Sequence, residues 1–240
     1  MASDNAERRT VTRRTRIILV MAALAVCGSR WAAAQTATEW VVDNTTAIGG
    51  HLVKVVGAPR VVDTEVGRAL EFNGISDGVF VEANPLEGLA QFTLEVLFWP
   101  AADGPAEQRF VHIEDVRDGG NRVLIETRMV GGGAWSLDTF LKEGTSSRPL
   151  LDRAITHPGN RWHVASLVYD GREMSHYVDG VRELSGHVAF GPLASGRTSL
   201  GVRQNLVYWF KGRIRALRVT PRALGSDALM RVPAAAGAVR

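Results

Sequence analysis

The sequence is short of the residues on which many chemistries depend. It has one cysteine in 240 residues, Cys27, and that residue sits in an N-terminal apolar run. A disulfide framework and thiolate chemistry in the body of the chain are therefore excluded. The apolar run, Ile17–Val26, is far below the ~20 residues needed to cross a bilayer as a helix. His112, His163, His176 and His187 show no metal-ligand spacing such as H-x-x-x-H. There is no G-x-S-x-G nucleophile elbow. RRM, zinc-knuckle and helix-turn-helix patterns are absent, which argues against nucleic acid as a partner. Stretches with helical apolar periodicity are scarce.

The basic charge is concentrated at one end. The chain carries 28 Lys and Arg against 25 Asp and Glu. Residues 1–34 account for six arginines and two acids, leaving 22 basic and 23 acidic residues in the rest. That remainder is near neutral, so the basic balance does not describe a nucleic-acid surface. Arg8, Arg9, Arg13, Arg14 and Arg16 precede the apolar run, and Ala32-Ala33-Ala34 follows it. A basic n-region, a short h-region and an A-x-A site predict a signal peptide over residues 1–34 and export to the periplasm or beyond the cell. Arg13-Arg14 also raises twin-arginine export, although Thr15 and Arg16 depart from that signal. Leu24-Ala-Val-Cys27 is only loosely a lipoprotein box, because Val26 stands where such boxes take a small residue.

What is present is a strand pattern. Arg161–Gly180 reads RWHVASLVYDGREMSHYVDG, two β-branched and aromatic runs punctuated by Asp170-Gly171 and Asp179-Gly180. Asp-Gly supplies the positive φ of tight hairpins, so Trp162–Tyr169, Met174–Val178 and Val181–Leu184 are predicted as a meander. Trp162, Val164 and Val168 share one face, and His163, Ala165, Leu167 and Tyr169 the other. A strand apolar on both faces belongs inside a layered structure. Phe92–Trp99 is a long strand ended by Pro100. Arg109–Glu114 and Arg122–Arg128 are predicted to pair across Asp118–Asn121, and Trp135–Leu141 follows the turn at Gly131–Gly133. Thr198–Val202 and Val207–Val219 are the last strands, and Ser226 caps a helical turn over Asp227–Arg231. The fold class is all-β, a two-sheet antiparallel sandwich over residues 35–232, with a flexible tail at 233–240.

Four segments carry a family resemblance. The run W-H-V-A-x-x-Y-D-G-x-x-x-x-Y-V-D-G resembles the central hairpin of laminin-G-like, concanavalin A-like jelly-roll domains. Gly67-Arg-Ala-Leu-Glu-Phe-Asn-Gly74 with Val79 and Val81, Phe92-Thr-Leu-Glu-Val-Leu-Phe-Trp99, and Phe210-Lys-Gly-Arg-Ile214 with Arg222-Ala-Leu224 resemble further strands of that family, in the family's order. The resemblance implies a jelly roll, a fold that hosts lectins, glycan-binding modules, polysaccharide hydrolases and lyases, and so leaves function open.

Sugar binding needs aromatic rings for C–H faces and planar polar groups for hydroxyls. Arg203, Asn205, Tyr208, Trp209 and Lys211 offer both within nine residues, and Trp209 and Lys211 would share a face of an extended strand. Trp135, Asp138, His112 and Glu126 are candidates to join them from neighbouring strands. The glucanase pattern E-x-D-x-E, which places two carboxylates on one strand, is missing. Ile125–Arg128, Val111–Ile113 and Tyr208–Lys211 faintly resemble alginate-lyase motifs, but in the wrong order. No cofactor is required on this reading. The family implies calcium as an option; Arg215 and Ala216 replace the family's closing acidic pair, leaving Asn73, Asp77 and Asp43 as weak candidate ligands. The expectation is an exported glycan-binding or adhesion module without catalysis, with a polysaccharide-degrading enzyme or an extracellular protein-interaction domain as alternatives.

Overall fold

The computed structural model describes residues 36–234. The predicted signal peptide, Cys27 and residues 235–240 of the tail lie outside the described residues. Among the described residues seventeen strands follow one another: β1 (Thr38–Val41), β2 (Ala47–Ile48), β3 (His51–Val56), β4 (Arg60–Val62), β5 (Ala69–Asn73), β6 (Gly78–Val81), β7 (Phe92–Pro100), β8 (Glu107–Asp115), β9 (Arg122–Gly131), β10 (Ala134–Glu143), β11 (Ser146–Leu151), β12 (His157–Pro158), β13 (His163–Tyr169), β14 (Glu173–Val178), β15 (Val181–His187), β16 (Gly196–Leu200) and β17 (Lys211–Thr220). They form two antiparallel sheets of a sandwich. One has the order β15-β14-β13-β7-β17-β5-β4, with β1 also on β17. The other has the order β11-β10-β9-β8-β16-β6-β3-β2, with β12 also on β10.

The alternation of β7 explains the layering. Phe92, Leu94, Val96 and Phe98 point into the central core. Phe98 stacks on Phe110 of the opposite sheet at 4.4 Å, and Trp135 meets Phe98 edge-on at 5.3 Å. Each fully buried side chain of this size contributes ~1.5–3 kcal/mol. In β13, Ala165, Leu167 and Tyr169 join the same core, as the two-faced pattern predicts. The meander is present, with Tyr169 opposite Met174 and Val178 opposite Val181. Its two turns differ. Asp179 and Gly180 both take positive φ, 51° and 78°. At the first turn only Gly171 does; Asp170 Oδ1 instead accepts the amides of Arg172 and Glu173 at 2.8 and 2.7 Å.

The outward face of β7 and β13 is apolar too, because the C-terminal segment covers it. Leu97, Trp162, Val164 and Ala216 pack with Met230 and Val232, and Val168 and Tyr177 pack with Leu229, Ala223 and Leu224. Thr93 Oγ1 donates to the Arg222 carbonyl at 2.8 Å and accepts the Leu224 amide at 3.0 Å. Glu95, fully buried, accepts the Met230 amide and Arg218 Nε, both at 2.6 Å. This covers the β7–β13–β14 part of the outer face of the eight-stranded sheet.

Two local expectations are corrected. The last strand begins at Lys211, not Val207. The helical turn is a 3-10 turn at Ser226–Ala228; Gly225 is its N-cap, and no side chain caps it.

Candidate functional site

The outer face of the nine-stranded sheet is built differently. Alternate residues of β8, β9 and β10 point outward. Arg109 lies opposite Glu126, and Glu126 opposite Asp138, making one polar row across three strands. In the next row Leu124 is opposite Phe140 and Phe140 opposite Pro149. Between these rows runs a groove of about 260 Å³, lined by Leu124, Phe140 and Pro149 with Glu126, Asp138, Arg109, Arg122, Arg128 and Arg203. It pairs an apolar floor with planar charged walls.

One rim is a strained loop. Gly201 takes positive φ, and a Cβ there would collide with the Phe72 ring. Leu206 and Tyr208 also take positive φ, at 61° and 62°. For an L-residue this region costs roughly 1–2 kcal/mol. The loop is held by Leu206 N–H donating to the Arg203 carbonyl at 2.8 Å and Arg109 N–H to the Tyr208 carbonyl at 2.9 Å. Phe210 pins its end in the core, 5.2 Å from Phe110. The outcome is that the Tyr208 ring lies 3.7 Å from the Arg109 guanidinium and remains exposed.

The charges are interlocked at one end of the groove. Glu126 accepts Arg109 Nε at 2.8 Å and Arg128 Nη2 at 2.9 Å. Asp138 accepts Arg128 Nε at 2.7 Å, and Arg128 Nη1 meets Glu107. Burial pushes the Glu126 carboxyl up to about 7, with the neighbouring Asp138 adding to the rise. Burial also raises Asp138. His112 is buried beneath the loop and accepts the Gln204 amide at Nδ1, 3.1 Å. Burial and then Arg203, Arg122, Arg109 and Arg197 hold it down at about 3, so the imidazole is neutral and its proton sits on Nε2.

The residues expected from the sequence divide. Arg203, Glu126 and Asp138 line the groove, Tyr208 forms its rim through Arg109, and His112 lies below. Asn205 is exposed on the loop. Trp135 is corrected to a core residue: it has no exposed surface and donates Nε1–H to the Pro158 carbonyl at 3.2 Å. Trp209 and Lys211 are not strand neighbours, because residue 209 is still loop and its indole packs toward Gly78. Lys211 belongs to a separate cleft of about 390 Å³ with Trp99, Arg213 and Glu71. There the charges are paired: Lys211 with Asp103 at 2.5 Å, Arg213 with Glu71 at 3.0 Å, and Arg60 with Glu71.

The sequence reading missed Arg109, Arg122, Phe140 and Pro149, and met Arg128 only in a faint lyase-like motif. The available signal was the alternation of Leu124, Glu126 and Arg128, which puts them on one face.

The candidate calcium ligands are otherwise engaged. Asp77 accepts the amides of Ala58 and Asn73 at 2.9 and 3.1 Å, and Asn73 Oδ1 accepts those of Ile75 and Ser76 at 2.8 and 2.9 Å. Asp43 accepts Asn44 Nδ2 at 2.9 Å. Among the described residues no group of three or more His, Cys, Asp or Glu side chains could hold a metal ion. A nucleophile-base-acid order does occur, Thr139 Oγ1 to His176 Nδ1 at 3.0 Å and His176 Nε2 to Glu183 at 3.5 Å, but Thr139 and His176 are fully buried between the sheets.

Comparison with known proteins places this architecture. No curated protein matches the chain by sequence. Domain 4 of AbnA, a GH43 extracellular arabinanase from Geobacillus stearothermophilus solved with arabinotriose, superposes with a TM-score of 0.59 at 21% identity, covering 80% of this chain and 96% of that domain. The binding domain of botulinum neurotoxin serotype D gives 0.58 at 13% identity over 81% of this chain and 49% of that one. The binding domain of Paraclostridial Mosquitocidal Protein 1 gives 0.59 at 14% identity over 80% of this chain and 50% of that one. This chain thus spans about half the length of those two binding domains. Likeness at these identities shows a shared fold. The profile of the concanavalin A-like lectin/glucanases superfamily matches residues 73–229, and the chain belongs to that family.

Proposed function

We propose that this protein is an exported glycan-binding module that holds a sugar chain in the groove between Phe140 and Tyr208 and performs no catalysis. The carrying observation is the open outer face of the nine-stranded sheet, where an apolar floor meets guanidinium and carboxylate groups fixed by mutual hydrogen bonds. Pre-fixed donors bind without first being ordered, which lowers the cost of association. The similar domain of the arabinanase is described with arabinotriose, which supports a sugar as the ligand class. The arginine-rich N-terminal segment with its A-x-A site supports export.

A hydrolase is the second reading, favoured by one observation. Glu126 and Asp138 are cross-strand partners bridged by Arg128, and a hydrolase needs two carboxyl groups facing one site. Against it, both oxygens of Glu126 already accept guanidinium hydrogens. A carboxyl so held is spent on ordering the arginines.

Affinity electrophoresis against a panel of soluble polysaccharides, with a reducing-end assay on the same samples, tests the proposal. Retardation by at least one polysaccharide, abolished by Tyr208→Ala, without release of reducing ends, is the expected result. Failure to bind any, or release of reducing ends that Glu126→Gln abolishes, would contradict it.

A further inference from the structure

The two ends of the groove differ in charge balance. Arg128 is surrounded by Glu107, Glu126 and Asp138. Arg109 reaches Glu126 at 2.8 Å and Glu107 only at 4.0 Å. Arg122 and Arg203 have no carboxylate within salt-bridge distance among the described residues. Arg122 donates Nη1–H to the Gly120 carbonyl at 3.0 Å and lies 5.3 Å from the Phe140 ring. Arg203, on the strained loop, has no side-chain hydrogen bond among the described residues.

Four buried nitrogens of this region lack a hydrogen-bond acceptor among the described residues: Arg109 Nη1, Arg122 Nε and Arg203 Nε on groove-lining residues, and His112 Nε2 below them, which faces Glu114 Oε2 at 3.6 Å. All four are donors, since the Gln204 amide occupies Nδ1 of His112 and leaves the proton on Nε2. His112 is 2% exposed. Leaving buried donors unmet costs ~1–3 kcal/mol each, so such a set is retained where something supplies oxygens. The positive charges also act on one another. Arg203 and Arg109 both hold down the protonation of Arg122, after burial, and Arg203 is the foremost charge acting on His112.

Resting on the glycan reading above, we infer that the Arg109–Arg122–Arg203 end of the groove receives the anionic group of an acidic polysaccharide, a uronate carboxylate or a sulfate ester. Both groups present planar or tripod oxygens that guanidinium forks recognise at two points. The neutral part of the sugar then lies over Phe140 and Leu124, and the saturated Arg128 end repels a second acid. Arg203 and Tyr208 come from one loop, so the strain at residues 206 and 208 serves to place the anion donor and the rim aromatic together.

The test is isothermal titration of the full chain with alginate, polygalacturonate, dextran sulfate, neutral dextran and arabinan. The expected result is about tenfold tighter binding of an acidic polymer than of either neutral one, weakening with added NaCl. The tighter of the uronate and sulfate arms names the group. Arg203→Gln and Arg122→Gln should each lower acidic-polymer affinity about fivefold or more, and by a larger factor than they lower arabinan affinity. The exposed Arg153→Gln is the control and should change neither. Arg203 sits on a loop, so its variant serves if Arg122→Gln fails to fold. Equal binding of neutral and acidic polymers, or acidic binding indifferent to Arg203→Gln, overturns this inference alone. Absence of binding to all five overturns it together with the glycan reading.

Discussion

Each outer face of the sandwich buries a glutamate on a central strand, and the two are treated in opposite ways. Glu95 lies under the C-terminal segment and is completed by Arg218 and the Met230 amide. Glu126 lies under an open groove, held by two arginines beside a second acid, and its carboxyl rises to about 7. The first carboxylate has both oxygens met by the protein itself under a covering segment, although Trp162 Nε1 and Ser166 Oγ on that face have no partner among the described residues. The second arrangement ends with donors to spare. The difference is one of cover: around Glu95 the first face is covered by the chain's own C-terminal segment, whereas the second stays open with guanidinium groups that no carboxylate pairs among the described residues.

The sharpest way to break this comparison is to neutralise both glutamates. Glu95→Gln should cost about 3 kcal/mol, because it strands a paired cation beneath the covering segment. Glu126→Gln should cost less than about 1 kcal/mol at pH 7, where its carboxyl is already partly protonated. Urea unfolding at pH 7 measures both, and equal losses would erase the distinction.

The cover itself is the next target. Leu229→Ala removes a side chain that is 4% exposed and packs on Val168 and Tyr177. It should lower stability by about 2 kcal/mol and leave glycan affinity unchanged, measured by thermal melts and titration on the same sample. A loss of affinity would mean that the closed face also binds.

Acid sharpens the contrast through buried groups of opposite sign. Glu126 titrates near 7 in the folded chain against an ordinary 4.5, so its contribution is full below 4.5 and is lost as pH rises toward 7. His112 and His176 are held at about 3 and about 4 against an ordinary 6.5, so theirs is full above 6.5 and is lost as pH falls toward those values. Two histidines outweigh one glutamate, so stability should fall between pH 6.5 and 4.5. Melting temperatures across that window should fall more steeply in Glu126→Gln and less steeply in His112→Gln.

The smallest expected effect is in the loop. Leu206→Gly relieves positive φ and should raise stability by up to about 1 kcal/mol while weakening binding, since the rim loses its fixed shape. Calorimetry reads the first effect and titration the second.

The sequence was informative where a residue's meaning is local. The Asp-Gly meander, the two-sided β13 and the β8–β9 hairpin follow from turn chemistry and alternation within a few residues. The groove depends on register. Nothing in the text of the chain says that Arg109 stands opposite Glu126, or that Glu126 stands opposite Asp138. Residues 207–209 read as strand because Val-Tyr-Trp has strand composition; the positive φ at Tyr208 overrides that propensity. Trp135 looked like a ligand platform because composition does not tell which face of β10 is inside.

The most direct test of the open face as the binding face is side-chain NMR of the arginine Nε–H groups during titration with alginate oligosaccharides. The account predicts shifts at Arg109, Arg122 and Arg203, with Arg218 and Arg213 unmoved. Shifts centred on Arg213 in the Trp99 cleft, or on Arg218 beneath the C-terminal segment, would contradict it.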